Sequence, residues 1–299
     1  MTTKAKITTA RWAPIELGAP RRWLLTGSGG TGKSYWAASS FWDPLAMEPV
    51  MIGEGASARP VRAKMLVIGQ ENIHELGIPE SYISTGSGRS FRLKSANLDS
   101  EKWIKDFTEI TTGFVVAARD SKDGPPLDVI IIDSVSESVL LQQRTYDNHG
   151  NKFATWDHLE TMWFSLFQRL DPRELGCHVI MTARPMERDT GIITTDEDGH
   201  KVADKMLAPS MRGNFLKNQL SCYFDMAFYI RSETRKLEKG PRAGMMGPAH
   251  VMHVIPNGRY DIKNTQEERW LYKGYPDELV NTGFWDVQGM LEGLMVAKS

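Results

Sequence analysis

The run Gly27-Ser28-Gly29-Gly30-Thr31-Gly32-Lys33-Ser34 constrains this chain more than any other feature. It fits G-x-x-x-x-G-K-[ST] in full. The apolar Trp23-Leu24-Leu25-Thr26 precedes it as a short buried strand, and a helix-like stretch from Lys33 to about Phe41 follows. Such a strand–loop–helix is built to hold a phosphate tail. Glycines let backbone N–H groups turn inward without side-chain interference. The positive end of the following helix adds attraction. Lys33 is expected at the β- and γ-phosphates and the Ser34 hydroxyl at Mg²⁺, with Tyr35 next along the helix. ATP and Mg²⁺ are the expected ligands.

Composition narrows the class. The chain has 299 residues, 41% hydrophobic and 24% charged, which suits a globular protein of one large or two ordinary domains. Its formal charge is -1, so a protein that coats DNA with a uniformly basic surface is excluded, and any nucleic-acid surface must be local. No apolar run approaches the ~18 residues that cross a bilayer. The opening MTTKAKITTARWAP lacks an apolar signal core. Cys177 and Cys222 are too few for a disulfide framework or a four-cysteine zinc site. Reduced thiols and a cytoplasmic setting, with no membrane partner, are expected. The seven histidines show no zinc spacing and are read as structural or solvent-facing.

Strand candidates recur along the chain at 50–52, 65–68, 129–132, 178–181, 224–230 and 250–255. Helical periodicity marks 100–118, with Trp103, Ile104, Phe107 and Ile110, and 155–170, with Trp156, Leu159, Met162, Trp163 and Leu166 on one face. Strands alternating with helices predict an α/β fold with a mainly parallel central sheet. Residues 1–20 are read as an N-terminal segment, 21–265 as the core and 266–299 as a C-terminal extension. The polar stretch 233–249 reads as a long hairpin or loop.

Val129-Ile130-Ile131-Ile132-Asp133 is an apolar strand ending in a carboxylate at the edge where open α/β sheets bind ligands. Asp133 is the expected second magnesium group. Hydrolysis also needs a group that orients water. Glu54, after the strand candidate at 50–52, and Glu71, after the one at 65–68, compete for that role. Thr182, ending the 178–181 strand, is a candidate γ-phosphate sensor, and Arg184 can reach phosphate, DNA or a neighbouring subunit.

With these residues in place the sequence resembles RecA-like recombination ATPases, whose second phosphate-site strand also continues Asp-Ser-Val as here at Asp133-Ser134-Val135. It is most similar to the phage-encoded nucleotide-binding proteins of single-strand annealing type. Their ordered elements match Gly27 to Ser34, Gly53-Glu54-Gly55, Asp133-Ser134, Trp163, Thr182-Ala183-Arg184 and Pro209-Ser210-Met211-Arg212-Gly213. The resemblance spans roughly 22–265 and implies a RecA-like P-loop core. It further implies ATP-driven assembly on single-stranded DNA, annealing or strand exchange, and ring or filament homo-oligomers in a host cytoplasm. A single-strand binding protein is a further partner in this picture. Some relatives carry a basic finger in Lys-Asn-Arg; here Lys263-Asn264-Thr265 keeps the lysine, which makes Lys263 the candidate acting in trans.

In that family the stretch after the third strand touches DNA. Here 185–213 carries Arg188, Lys201, Lys205 and Arg212 against six acidic residues, so it is no simple cationic groove. Residues 231–243 are more basic, with Arg231, Arg235, Lys236, Lys239 and Arg242 against Glu233 and Glu238. Candidate DNA contacts are Arg184, Arg188, Lys205, Arg212, Arg235, Lys236 and Lys239. Trp36, Trp42, Trp103, Trp156 and Trp163 are read as packing residues rather than base-stacking platforms. The leading functional expectation is an ATPase of DNA recombination. A P-loop kinase with 185–213 as its lid, or a nucleotide-dependent loader or switch, are the alternatives.

Overall fold

The computed structural model describes residues 20–40, 42–43, 48–49, 51–52, 59–60, 65–69, 91–92, 128–140, 152–195, 199–210, 220–237 and 243–292. The predicted helix at 100–118 and residues Glu54, Glu71, Trp103, Arg212, Lys239 and Arg242 lie outside them.

The fold is α/β with a mainly parallel central sheet. Its parallel part is built from β1 (Arg22–Thr26), β6 (Met65–Gly69), β7 (Phe91–Arg92), β8 (Val129–Asp133), β9 (His178–Ala183) and β12 (Met226–Lys236). Three strands pair antiparallel at one side: β13 (Met246–His253), β14 (Lys263–Asn264) and β15 (Glu278–Val280). The spatial order is β15-β13-β12-β1-β9-β8-β6-β7, with β14 also on β12. Three antiparallel pairs stand outside it: the short β2 (Trp42–Asp43) with β3 (Glu48–Pro49) and β4 (Met51–Ile52) with β5 (Arg59–Pro60), and the longer β10 (Pro185–Thr195) with β11 (Lys201–Pro209).

Alternation along the strands sorts the core into two layers, because successive side chains point to opposite faces. Trp23, Leu25, Ile131, Ile180, Met226 and Phe228 meet α1 (Lys33–Ala38) through Trp36 and Ala37. Leu24, Ile130, Ile132, Val179, Met181 and Ala227 meet α2 (Lys152–Arg169) through Trp163, Leu166 and Phe167. Covered on both faces, β8 reads as an unbroken apolar run. A short helix, α3 (Pro172–Leu175), leads into β9; the Asp171 carboxylate caps it by accepting from the Arg173 N–H at 2.9 Å. Among the described residues no helix is long and apolar enough to cross a membrane.

The stretch after 266 builds onto the same sheet. It forms α4 (Glu267–Tyr272), then β15, then α5 (Phe284–Leu291). Phe284 is fully buried, edge-on to Trp23 at 5.3 Å and to Trp36 at 5.4 Å between ring centroids. The Phe284 N–H donates to Ser39 Oγ at 2.8 Å, and Trp285 Nε1 donates to the Ser40 carbonyl at 2.6 Å. The end of α1 is therefore tied to α5. Replacing Phe284 with Ala should destabilise the protein by about 3–5 kcal/mol, read by urea denaturation.

His178 lies under the same aromatic cluster, 5.1 Å from the Phe284 ring. Its Nδ1 accepts from the Arg21 N–H at 3.1 Å and from Trp23 Nε1 at 3.4 Å. Burial, with help from the Arg21 charge, pushes its pKa down to about 3. The folded state therefore prefers neutral imidazole. Its contribution to stability is complete above the unfolded value near 6.5 and is lost progressively as pH falls toward 3. Stability should drop by about 1.4 kcal/mol per pH unit below 6.5 from this group, and a His178→Asn variant measured by denaturation across pH should lack that slope.

Candidate nucleotide-binding site

The phosphate loop leaves the C-terminal end of β1 and turns into α1. A Cβ on Gly27 would lie 2.3 Å from the Ile230 carbonyl oxygen, so β12 approaches too closely for any side chain there. Gly32 has φ +97° and supplies the N-cap of α1 in a conformation that L side chains rarely adopt. Thr31 Oγ1 donates to the Ser28 carbonyl at 2.9 Å and braces the loop from within. Lys33 arches back over it, its ammonium donating to the Gly27 and Ser28 carbonyls at 2.6 and 2.7 Å. Burial lowers the Lys33 pKa; Asp133 opposes this and the Arg184 charge reinforces it.

Sheet order brings the other groups to this loop. β9 stands between β1 and β8, with Leu25 opposite Thr182 and Ile132 opposite Met181. Asp133 is therefore level with Thr182, and alternation turns both toward the α1 side of the sheet. Thr182 Oγ1 donates to Asp133 Oδ1, and Ser34 Oγ donates to Asp133 Oδ2 at 2.6 Å. Thr182 is fully buried and Asp133 nearly so. Each such bond to a charged group contributes roughly 1.5–3 kcal/mol. A hydroxyl and a carboxylate side by side form an oxygen-donor pair of the kind Mg²⁺ takes.

Arg184, just past β9, pairs with Glu137 and remains more than half exposed. Its backbone N–H donates to Ser136 Oγ at 3.0 Å, and that hydroxyl donates to the Ser210 carbonyl at 2.7 Å. The other cationic candidates are more dispersed. Arg188 pairs with Asp261 at 3.5 Å and Lys205 with Glu187 at 3.0 Å, both on the β10–β11 hairpin. Arg235 pairs with Glu233 at 2.6 Å and Glu278 at 3.3 Å, and Lys236 is exposed at the end of β12. Lys263 is not brought to the phosphate loop of this chain. β14 pairs with Met226 and Ala227 at the start of β12, and Lys263 Nζ donates to the Cys222 carbonyl at 3.0 Å.

Of the two glutamate candidates, both outside the described residues, the preceding strands can be compared. β6 lies beside β8 with Gly69 opposite Asp133, whereas among the described residues β4 pairs with β5, off the central sheet. One contributor to the loop escaped the sequence reading. His250 of β13 lies against Gly32, with its ring 5.6 Å from that of Tyr35. Only the return of β13 beside β12 places it there, and no local motif marks it.

A family profile described as an AAA domain matches residues 19–266. The chain belongs to this family of P-loop ATPases. No curated protein sequence matches it. Among solved structures it is similar to the flagellar accessory protein FlaH from Methanocaldococcus jannaschii, at 14% identity and a TM-score of 0.36, over 88% of this chain and 86% of that chain.

Lys33→Ala should abolish binding of magnesium and adenine nucleotide in calorimetry while the protein stays folded. Thr182→Val deprives a buried carboxylate of a donor and should cost about 1–3 kcal/mol of stability, read by denaturation.

Proposed function

We propose that this chain is a Mg-ATP-dependent ATPase of DNA recombination that binds single-stranded DNA as a ring or filament of identical subunits. The observation that carries its hydrolytic part is the Ser34–Asp133–Thr182 chain beside Lys33. Phosphate oxygens can replace the Gly27 and Ser28 carbonyls as acceptors for the Lys33 ammonium. Loop N–H groups and the start of α1 add donors around the same anion. Ser34 and Asp133 would hold Mg²⁺, which when bound offsets charge on the β- and γ-phosphates. Thr182, fixed on Asp133, links the state of this site to the chain leaving β9 toward Arg184 and the β10–β11 hairpin.

A water attacks the γ-phosphorus in line and ADP leaves. Glu71 is the better group to orient that water, since it follows by two residues the strand that sets Gly69 opposite Asp133. The DNA part of the reading rests on the resemblance to phage annealing ATPases and on the cationic residues of the two hairpins. Lys263, which donates to the Cys222 carbonyl, would act in this reading from one subunit on the site of its neighbour.

ATP turnover with and without single-stranded DNA tests this reading. Turnover should rise several-fold with DNA, and DNA affinity should fall steeply as salt increases. Glu71→Gln should lower kcat by 10²-fold or more with nucleotide binding retained, and Glu54→Gln by much less. Turnover indifferent to DNA, with no complex at low salt, would remove the recombination reading. Phosphate transfer that needs an added acceptor would indicate a kinase, and tight binding without turnover a switch.

A further inference from the structure

His250 presses on the phosphate loop from a strand that the nucleotide-site motifs do not include. A Cβ on Gly32 would lie 2.4 Å from both Cγ and Nδ1 of His250 and 2.8 Å from Cε1, so the Nδ1 edge of the ring faces the loop backbone. The Thr31 backbone is the hydrogen-bonding group that acts on the imidazole.

The backbone that carries the ring is also held in place. The His250 N–H donates to Asn281 Oδ1 at 2.8 Å, and the Asn281 N–H donates to the His250 carbonyl at 2.8 Å. Asn281 has φ +48°, a conformation that asparagine adopts more readily than most residues. This clamp comes from the turn after β15, in the segment beyond 266. On its other side the imidazole meets Tyr35, the residue after Ser34.

We propose that His250, clamped by Asn281, is a positioning residue for the phosphate loop, and that its ring, packed on Gly32 and hydrogen-bonding to the Thr31 backbone, holds the loop in the conformation that takes a triphosphate. The inference rests on the nucleotide site proposed above and adds the C-terminal segment to it. His250 touches no reacting atom. It stabilises the loop conformation that binds, so its loss acts on affinity and KM more than on kcat.

The test is calorimetry of the full chain with magnesium and a non-hydrolysable ATP analogue, together with steady-state kinetics. His250→Ala should weaken analogue binding about tenfold and raise KM by a similar factor, with kcat within about twofold. His250→Gln, which retains a side-chain donor, should recover most of the affinity. His250→Leu, which fills the space without a polar atom, should not. Asn281→Gly keeps the positive φ and removes the side-chain acceptor. It should weaken binding in the wild-type background and have little effect in His250→Ala, because it acts through His250. Should His250→Ala fail to fold, the Leu, Gln and Asn281→Gly variants read the same quantity. Wild-type affinity in His250→Leu, no recovery in His250→Gln, or equal Asn281→Gly effects in both backgrounds overturns the proposal. In each case the wild type still binds the analogue, so the nucleotide site stands. No binding by the wild type itself removes both.

Discussion

A nearly buried carboxylate has to be paired, and the pairing of Asp133 organises the centre of this molecule. Its two oxygens take hydroxyl donors from two different elements, Thr182 on β9 and Ser34 on α1. This fixes the height of α1 against the sheet and the register in which β9 sits beside β8. The phosphate loop inherits its geometry from that anchor, since it must span from Thr26 to a helix whose position Asp133 has already set. Lys33 then has little freedom, and the loop carbonyls below it complete its hydrogen bonding.

A second constraint reaches the loop from the far end of the chain. α1 is only six residues long and could not hold its orientation alone. Trp36 packs against Phe284, and Ser39 and Ser40 bond to the first residues of α5. Asn281 fixes His250 against Gly32 at the opposite side of the same turn. The segment beyond 266 therefore bears on both the start and the end of the phosphate helix. Its apolar side chains belong to the same cluster as Trp23 and Leu25.

What the sequence made legible follows from how local each signal is. The phosphate loop, the Asp133 strand and the Thr182 strand are short runs whose residues announce their own geometry. The parallel sheet followed from β-branched runs separated by helical periodicity, and α2 was visible from Trp163 and Leu166 on one face. The stretch read as a hairpin or loop at 233–249 holds the end of β12 and the start of β13, which pair antiparallel. Less local matters stayed hidden. Glu54 and Glu71 could not be separated as water-orienting groups, yet β4 pairs outside the central sheet and β6 inside it, because short apolar strands carry no mark of their partner. His250 is a lone histidine in sequence. Its place depends on an antiparallel return and on an asparagine thirty-one residues later.

Charge counting along the chain misleads for the same reason. Residues 231–243 look basic in sequence, but Arg231, Glu233 and Arg235 share one face of β12, where alternate residues are neighbours. Arg231 and Arg235 both reach Glu233, and β15 adds Glu278 to both. Arg231 Nε also donates to His253 Nε2 at 2.8 Å. One unit of the apparent surplus is thus neutralised by a strand that is remote in sequence. These pairs are partly exposed, and ion pairs of that kind contribute about 0–1 kcal/mol each. A phosphate backbone offering several anions at fixed spacing, with release of its own counterions, can displace such carboxylates at small cost. The hairpin is then a surface whose cations are held in order by weak internal partners. A polyanion that takes Arg231 and Arg235 has to displace Glu233 and Glu278, and Glu278 belongs to β15, three residues before Asn281. The carboxylate that would be released and the clamp on the phosphate loop stand on one short stretch of chain.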